Sequence, residues 1–317
     1  MKKEKKLETI NHFFKVQSKS TDRCLEPNDN CDRKAIRSHS IPSGSILSSL
    51  SKDGHVIMPS MNLNYPPPSE IEFKEIGVNK ATTFSGLCSN HDSEIFRPID
   101  IDLPDTDNQE HLFLLAYRAV LREYHACLQN ALRFQSTYQK RIDVDISPKN
   151  EPDSFGMYTT SHMANAYECY LYKREFDQYL LSSEWSKLKH HIIVLKNQAA
   201  TIAVNSLFSL DDIEAPETPR VTLSIYPNNT DLIVVFSFTE TDSLYVSNYL
   251  NRILNSEGYY QKYLLSKLIL QSCENIVLSP DFFDSFSEDK KNAIGQFFID
   301  TIFVTAQDYE SEYLYLF

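Results

Sequence analysis

The chain has 317 residues with 42% hydrophobic side chains and a net charge of −12, too long for one small domain and apolar enough for a sizeable core. Its 19 Phe and 18 Tyr against 7 Gly exclude a disordered or collagen-like chain, and they argue against a nucleotide fold that needs glycines where backbone meets phosphate. No apolar run nears the roughly 20 residues of a bilayer span, and the basic start Met1–Lys6 leads into a stretch broken by Glu8, Asn11 and His12 instead of a signal's apolar core, so a cytoplasmic protein with no membrane association is expected.

Residues 1–17 read as a basic N-terminal segment with a short helix over 7–16. Residues 17–30 are polar and rich in turn formers. A weak helical pattern, Ile46, Leu47 and Leu50, follows Pro42 and Ser43. Residues 59–69, with Pro66, Pro67 and Pro68, read as an extended connector.

Helical periodicity takes over after Pro104. Leu114, Tyr117, Leu121, Tyr124, Leu128, Leu132, Gln135, Tyr138 and Ile142 recur every three or four residues, and Leu112, Leu115, Ala119 and Val120 form a second apolar row. A helix apolar on two sides is packed on both, so this one is central. After a loop over 147–155, a helix is predicted over 160–179. Ser182 or Ser183 then caps a predicted helix with the stripe Trp185, Leu188, Ile192, Leu195, Ala199 and Ile202.

An acidic linker with two prolines covers 211–219. The strongest strand signal follows: Val221, Leu223 and Ile225 alternate with polar residues, residues 227–230 turn, and 232–238 return as a β-hairpin. Helices are expected over 243–255 and 259–271, a short strand over 276–278, a helix started by Ser279 and Pro280, and a last helix over 288–305. The expected class is α+β, mainly α. A zinc-bound, treble-clef-like module over 18–105 precedes a helical domain over 106–210, and the β-hairpin with its helices fills 211–317.

The six cysteines do not form a disulfide framework in a cytoplasmic chain of this size. Cys127, Cys169 and Cys273 sit in apolar or helical stretches and read as small hydrophobes. Cys24 and Cys31 instead lie in a polar loop, and Cys88-Ser89-Asn90-His91 forms a C-x-x-H knuckle. Zinc takes four soft or borderline donors in a tetrahedron, commonly as two pairs from two tight loops. Cys24, Cys31, Cys88 and His91 are therefore the expected ligands of a structural Zn2+. The competing reading makes the thiols core residues, but the polar setting of Cys24 and Cys31 gives a buried hydrophobe no reason to be there.

Charge is uneven along the chain. Residues 1–60 carry 11 basic and 7 acidic side chains, which leaves −16 on the remainder. A nucleic-acid partner would therefore meet the N-terminal module, through Lys34, Arg37 or Arg97, whereas the acidic body repels phosphate. A protein partner would meet the helical body. Arg118, Arg122, Glu123 and His125 share one helix and read as salt-linked polar groups, and the adjacent His190 and His191, taken as helical, point too far apart to share one metal. Neither a G-x-S-x-G elbow nor a Walker loop occurs.

Taken together, Cys24 with Cys31, the turn His39-Ser40-Ile41-Pro42, and Leu87-Cys88-Ser89-Asn90-His91-Asp92 make about 70 residues resemble the HNH, or treble-clef, nuclease family. The resemblance implies His39 as the base that activates water. It places His91 at a structural cysteine position and Asp92 at the position of the histidine that binds a catalytic Mg2+ or Mn2+. The family's middle asparagine has no clean counterpart, since Thr83 and Phe84 stand near its place and Asn79 comes several residues early. The expected function is nucleic-acid processing or binding, with metal-dependent phosphodiester hydrolysis as its enzymatic form. The alternative is a non-catalytic adaptor that zinc stabilises, with Asp92 merely capping a helix that starts at Ser93.

Overall fold

The computed structural model describes residues 2–17, 22–62, 70–210, 214–303 and 310–317. About 52% of these are helical and 20% lie in strands, so the α+β, mainly α, expectation holds. No helix among the described residues is long and apolar enough to cross a membrane.

The chain divides into two units, each assembled from three stretches. Residues 1–38, 84–94 and 120–184 form the first, and residues 39–83, 95–119 and 185–317 form the second. Shifts of composition along the chain predict domains of consecutive residues. Composition follows chain order, whereas these units exchange chain inside two helices, α3 (Ser89–Ile101) and α4 (Gln109–Asp143).

In the first unit, α1 (Lys2–Gln17), the later part of α4, and α5 (Ser154–Ser182) pack together. Phe13 meets the ring of Phe134 edge-on, His12 Nε2 bonds Ser136 Oγ at 2.9 Å, and Lys140 pairs with Glu8 at 2.6 Å. Small residues line the seam between α4 and α5, where Cys127 and Ala131 meet Ala166 and Cys169. The Asp153 side chain caps α5 by accepting from Gly156 N–H, and Arg141 and Ser147 hold the same carboxylate. Gly156 is required because a Cβ there would come within 2.6 Å of the Tyr138 ring. With a capping aspartate in place, α5 starts at Ser154 and ends at Ser182, longer at both ends than the predicted 160–179.

The second unit is built on a seven-stranded antiparallel sheet in the order β3-β2-β9-β6-β7-β8-β5. Its strands are β2 (His55–Asn62), β3 (Glu70–Gly77), β5 (Leu188–Leu195), β6 (Ile202–Ser209), β7 (Arg220–Asn228), β8 (Asp231–Thr239) and β9 (Ile276–Leu278). Two residue pairs, β1 (Ser38–His39) and β4 (Thr83–Phe84), make a separate small ladder. A π-turn over Ser43–Leu47 runs into α2 (Ser48–Leu50), burying Ile46, Leu47 and Leu50 as the sequence spacing suggested.

One sheet face places Val204, Leu223, Val234 and Phe236 in a core shared with α6 (Ser243–Leu254), α7 (Gly258–Ser272) and α9 (Glu288–Phe303). The short α8 (Pro280–Asp284) carries proline at its first turn, as expected. The intervening residues are buried too, and they mix Ala203, Ile233 and Val235 with polar side chains. Asn205 Nδ2 donates to the Leu115 carbonyl and to Ser224 Oγ, and Tyr226 O–H donates to the Pro104 carbonyl. The first part of α4 covers that face.

Two sequence expectations fail in this unit. The predicted helix after Ser183 is instead β5, a turn and β6, and β5 pairs with β8 over eight positions. Its apolar residues match a helical stripe by coincidence, while Ile192, Ile193 and Val194 are β-branched and favour the pleated strand. His190 and His191 consequently face opposite sides of a strand, bonded to Ser237 and Ser247. The extended connector is only partly described: Pro59 to Asn62 belong to β2, and Pro66 to Pro68 lie outside the described residues. Pro59 is tolerated because β9 pairs with β2 only at Ile57, so from Pro59 onward β3 alone flanks the strand.

The first unit also buries a complete ion pair. Lys173 and Asp177 are both 1% exposed, with Nζ at 2.7 and 2.9 Å from the two carboxylate oxygens. Removing one member leaves the other charge uncompensated in the interior. Asp177→Ala is expected to cost about 3–5 kcal/mol in urea unfolding, and replacing both residues by apolar side chains should cost far less; a loss under about 1 kcal/mol from the single change would contradict this.

Candidate metal centre

The centre is assembled from two backbone turns within the first unit. Residues 22–35 form a small hairpin, with Arg23 bridged to Lys34 and Ala35 N–H bonded to the Asp22 carbonyl at 2.8 Å. Its tip is reversed by Asp29, whose φ of 56° suits an aspartate better than most side chains. The hairpin is laid along residues 86–87 by Leu25 N–H to the Gly86 carbonyl and Ile36 N–H to the Leu87 carbonyl, both 2.8 Å. Gly86 is needed here, since a Cβ would fall 2.5 Å from the Phe84 ring.

Cys88 then stands at the N-terminal end of α3, where Asp92 N–H donates to its carbonyl at 2.9 Å. His91 follows within the first turn, so the three-residue spacing puts its ring beside the Cys88 sulfur. The four side chains meet: all four donor atoms of Cys24, Cys31, Cys88 and His91 lie within 4.8 Å of one another. His91 Nδ1 is 3.4 Å from Cys24 Sγ and 3.5 Å from Cys88 Sγ, and the sulfurs of Cys31 and Cys88 are 3.9 Å apart. A tetrahedron with metal–sulfur bonds of about 2.3 Å and a metal–nitrogen bond of about 2.0 Å has edges of about 3.8 Å between sulfurs and about 3.6 Å from sulfur to nitrogen. The donor set can hold a metal ion.

The surrounding groups act in opposite directions on the two buried sulfurs. Cys88 N–H donates to Cys24 Sγ at 3.2 Å. Burial pushes the Cys24 thiol up to about 12, against this N–H. At Cys88 burial also acts upward, but the N–H of His91 and the thiols of Cys24 and Cys31 outweigh it and hold the pKa below the ordinary thiol value. Cys88 is thus the more acidic of the two, and a cation bound here would compete with protons for both sulfurs.

Two residues that the sequence reading did not single out complete the loop. Glu26 is 4% exposed, and its carboxylate accepts from the N–H groups of Asn28 and Asn30, closing the turn between the first two cysteines. Burial works against its charge, but these N–H groups and the nearby His91 prevail, so its pKa lies below the usual carboxylate range. Arg174, on α5, donates to the Pro27 carbonyl at 2.7 Å and reaches Asp29 at 3.5 Å. Glu26 was visible as a charged residue inside a cysteine loop; Arg174 is 147 positions from its partner and carries no sequence signal.

The other predicted residues are placed as follows. His39 lies in β1, half-buried and in the second unit, and its Nδ1 bonds the Ala81 carbonyl at 2.9 Å. That contact puts the ring proton on Nδ1 and leaves the lone pair on Nε2. Ser40 beside it bonds the carbonyl of Thr82, whose φ of 57° is unusual for a β-branched residue, and Asn275 Nδ2 donates to Ser40 Oγ. Asp92 is half-buried in the first unit. Because α3 begins at Ser89, Asp92 is inside the first turn and does not cap a helix starting at Ser93. Lys34 is exposed and pairs with Asp22 at 3.6 Å; Arg37 in the first unit and Arg97 in the second are exposed.

Arg118 is buried, forked onto the Asp100 carboxylate at 2.7 and 2.8 Å and stacked over Phe96, a structural ion pair as its helical setting suggested. Burial and Arg122 hold His125 down to about 4, so it is neutral at physiological pH.

No family model, curated protein or solved structure matches the chain.

Metal binding is expected to need all four donors. Cys31→Ser and His91→Ala should each reduce the metal retained after dialysis at least tenfold from one equivalent, whereas Lys34→Ala should retain it. Full retention in Cys31→Ser protein would remove Cys31 from the centre.

Proposed function

We propose that Cys24, Cys31, Cys88 and His91 hold a structural zinc ion and that the protein processes nucleic acid by an HNH-like hydrolysis. Three thiolates and one imidazole suit zinc, whose tetrahedral sites are commonly built from these donors. All four positions are taken by protein, so this ion would crosslink the two turns and leave no place for water or substrate.

The single observation that carries the catalytic part is the orientation of His39. A backbone carbonyl fixes its ring through Nδ1, so Nε2 is the nitrogen available to take a proton from an attacking water. Asp92 would hold a second divalent ion through its carboxylate, which suits magnesium or manganese. Such an ion supplies charge neutralisation at a scissile phosphate. Lys34, Arg37 and Arg97 offer exposed positive charge for a phosphate backbone.

A second reading, a zinc-stabilised adaptor, is favoured by α5. Met157, Met163, Tyr167 and Leu171 are 45–65% exposed, and the last three recur every four residues along one helical face. A row of that kind suits a protein partner.

Nicking assays with magnesium and with manganese separate the two. His39→Ala is expected to lower the rate about 10²–10⁴-fold with zinc content and folding unchanged. Asp92→Ala should lose activity that higher manganese partly restores. Activity unaltered by both changes, in folded and zinc-replete protein, would reject the catalytic reading in favour of the adaptor.

Binding to nucleic acid should weaken steeply with salt, and Lys34→Glu with Arg37→Glu should weaken it further, while charge changes on α9 should not. Equal loss from both sets would place the interface elsewhere.

A further inference from the structure

A second sulfur pair lies in the first unit, apart from the four metal donors. Cys127 on α4 and Cys169 on α5 are 6% and 5% exposed, and their sulfurs are 3.4 Å apart although 42 residues separate them in the chain. Ala131 and Ala166 complete this cluster. Small side chains at a helix seam let the backbones approach closely, which a disulfide between facing helices requires. Two polar groups converge on the same sulfur: Asn165 Nδ2 donates to Cys127 Sγ at 3.4 Å, and the Cys127 thiol donates to Glu123 Oε1 at 3.4 Å. An amide donor and a carboxylate acceptor are unusual company for a cysteine that serves only as a small hydrophobe.

We propose that Cys127 and Cys169 are an oxidisable dithiol that forms a disulfide across the α4–α5 seam when the protein meets a two-electron oxidant such as hydrogen peroxide. Cys169 sulfur attacks the O–O bond, becomes a sulfenic acid and releases one water. The Cys127 thiol then displaces hydroxide from that sulfur, its proton passes through the Glu123 carboxylate to the leaving group, and a second water departs. The two thiols lose two electrons and two protons, and one peroxide becomes two waters.

The Cys169 thiol beside it, burial and the Glu123 charge all push the Cys127 pKa upward. A protonated thiol is a poor nucleophile, so Cys127 does not take the first step, and it attacks the Cys169 sulfenic acid only as the Glu123 carboxylate beside it takes its proton. The bond would close a loop of over forty residues and restrict the unfolded chain accordingly. This inference does not depend on the function proposed above.

The test is peptide mapping under non-reducing conditions of the full chain, alkylated and digested after graded hydrogen peroxide. The expected product is a Cys127–Cys169 linked peptide, reversed by dithiothreitol, with a melting temperature several degrees higher in the linked protein. Cys127→Ala and Cys169→Ala proteins should each lack the linked peptide and the peroxide-dependent rise. Cys273, buried in the core of the second unit, should be recovered as a thiol at the same dose. Recovery of Cys127 and Cys169 as separate thiols or as sulfinic acids, or their linkage mainly to Cys24, Cys31 or Cys88, would overturn the proposal. If either alanine variant fails to fold, Cys127→Ser or Cys169→Ser serves the same comparison, and the wild-type map alone decides between linkage and its absence.

Discussion

Three sulfurs and an imidazole nitrogen drawn within 4.8 Å of one another set the conditions that the N-terminal turns must meet. Thiolates at such distances repel strongly in a partly desolvated site, so they can ionise together only around a cation. The local structure answers that demand in several ways. An N–H group points at the Cys24 sulfur, the N-terminal end of α3 faces the Cys88 side, and Glu26 turns inward to hold the loop that brings Cys31 round. Gly86 exists to let the second turn pass the Phe84 ring. Arg174 ties the same loop to α5. In a unit whose remaining core is three helices with a thin seam, a metal ion held by these donors would contribute folding energy directly.

The second unit follows a different logic. Its central strands β6, β7 and β8 are buried along nearly their whole length, with one face mainly apolar and the other mixing polar with apolar side chains. The mixed face carries Asn205, Thr222, Ser224 and Ser237 among Ala203, Ile233 and Val235; Asn205 Nδ2 donates to the Leu115 carbonyl and to Ser224 Oγ, and Thr222 Oγ1 donates to the Ser237 carbonyl. The Asn205 bond to the Leu115 carbonyl ties the first part of α4 to that face.

Much of this was legible in the sequence because it depended on local spacing. The C-x-x-H knuckle, the hairpin of β7 and β8, the long α4 and the Ser279–Pro280 helix start are all encoded within a few residues of themselves. What was not legible depended on partners far along the chain. The segment Leu188–Leu195 matched a helical stripe and became an edge strand because β8 was available to pair with it. The strands β2 and β3 lie among prolines and charges that obscure alternation. The meeting of Cys127 with Cys169, and of Arg174 with Pro27, is a product of helix packing that no spacing rule reports. His39 was picked out by resemblance, but the carbonyl that orients it, Ala81, lies 42 residues away.

X-ray absorption at the zinc edge, recorded on protein purified without chelators, tests the central claim most directly. A structural zinc held by these donors gives a four-coordinate shell of three sulfurs at about 2.3 Å and one nitrogen at about 2.0 Å, with one sulfur lost from that shell in Cys24→Ser protein. A spectrum showing an oxygen-rich shell, or no zinc edge above background in folded protein, would contradict it.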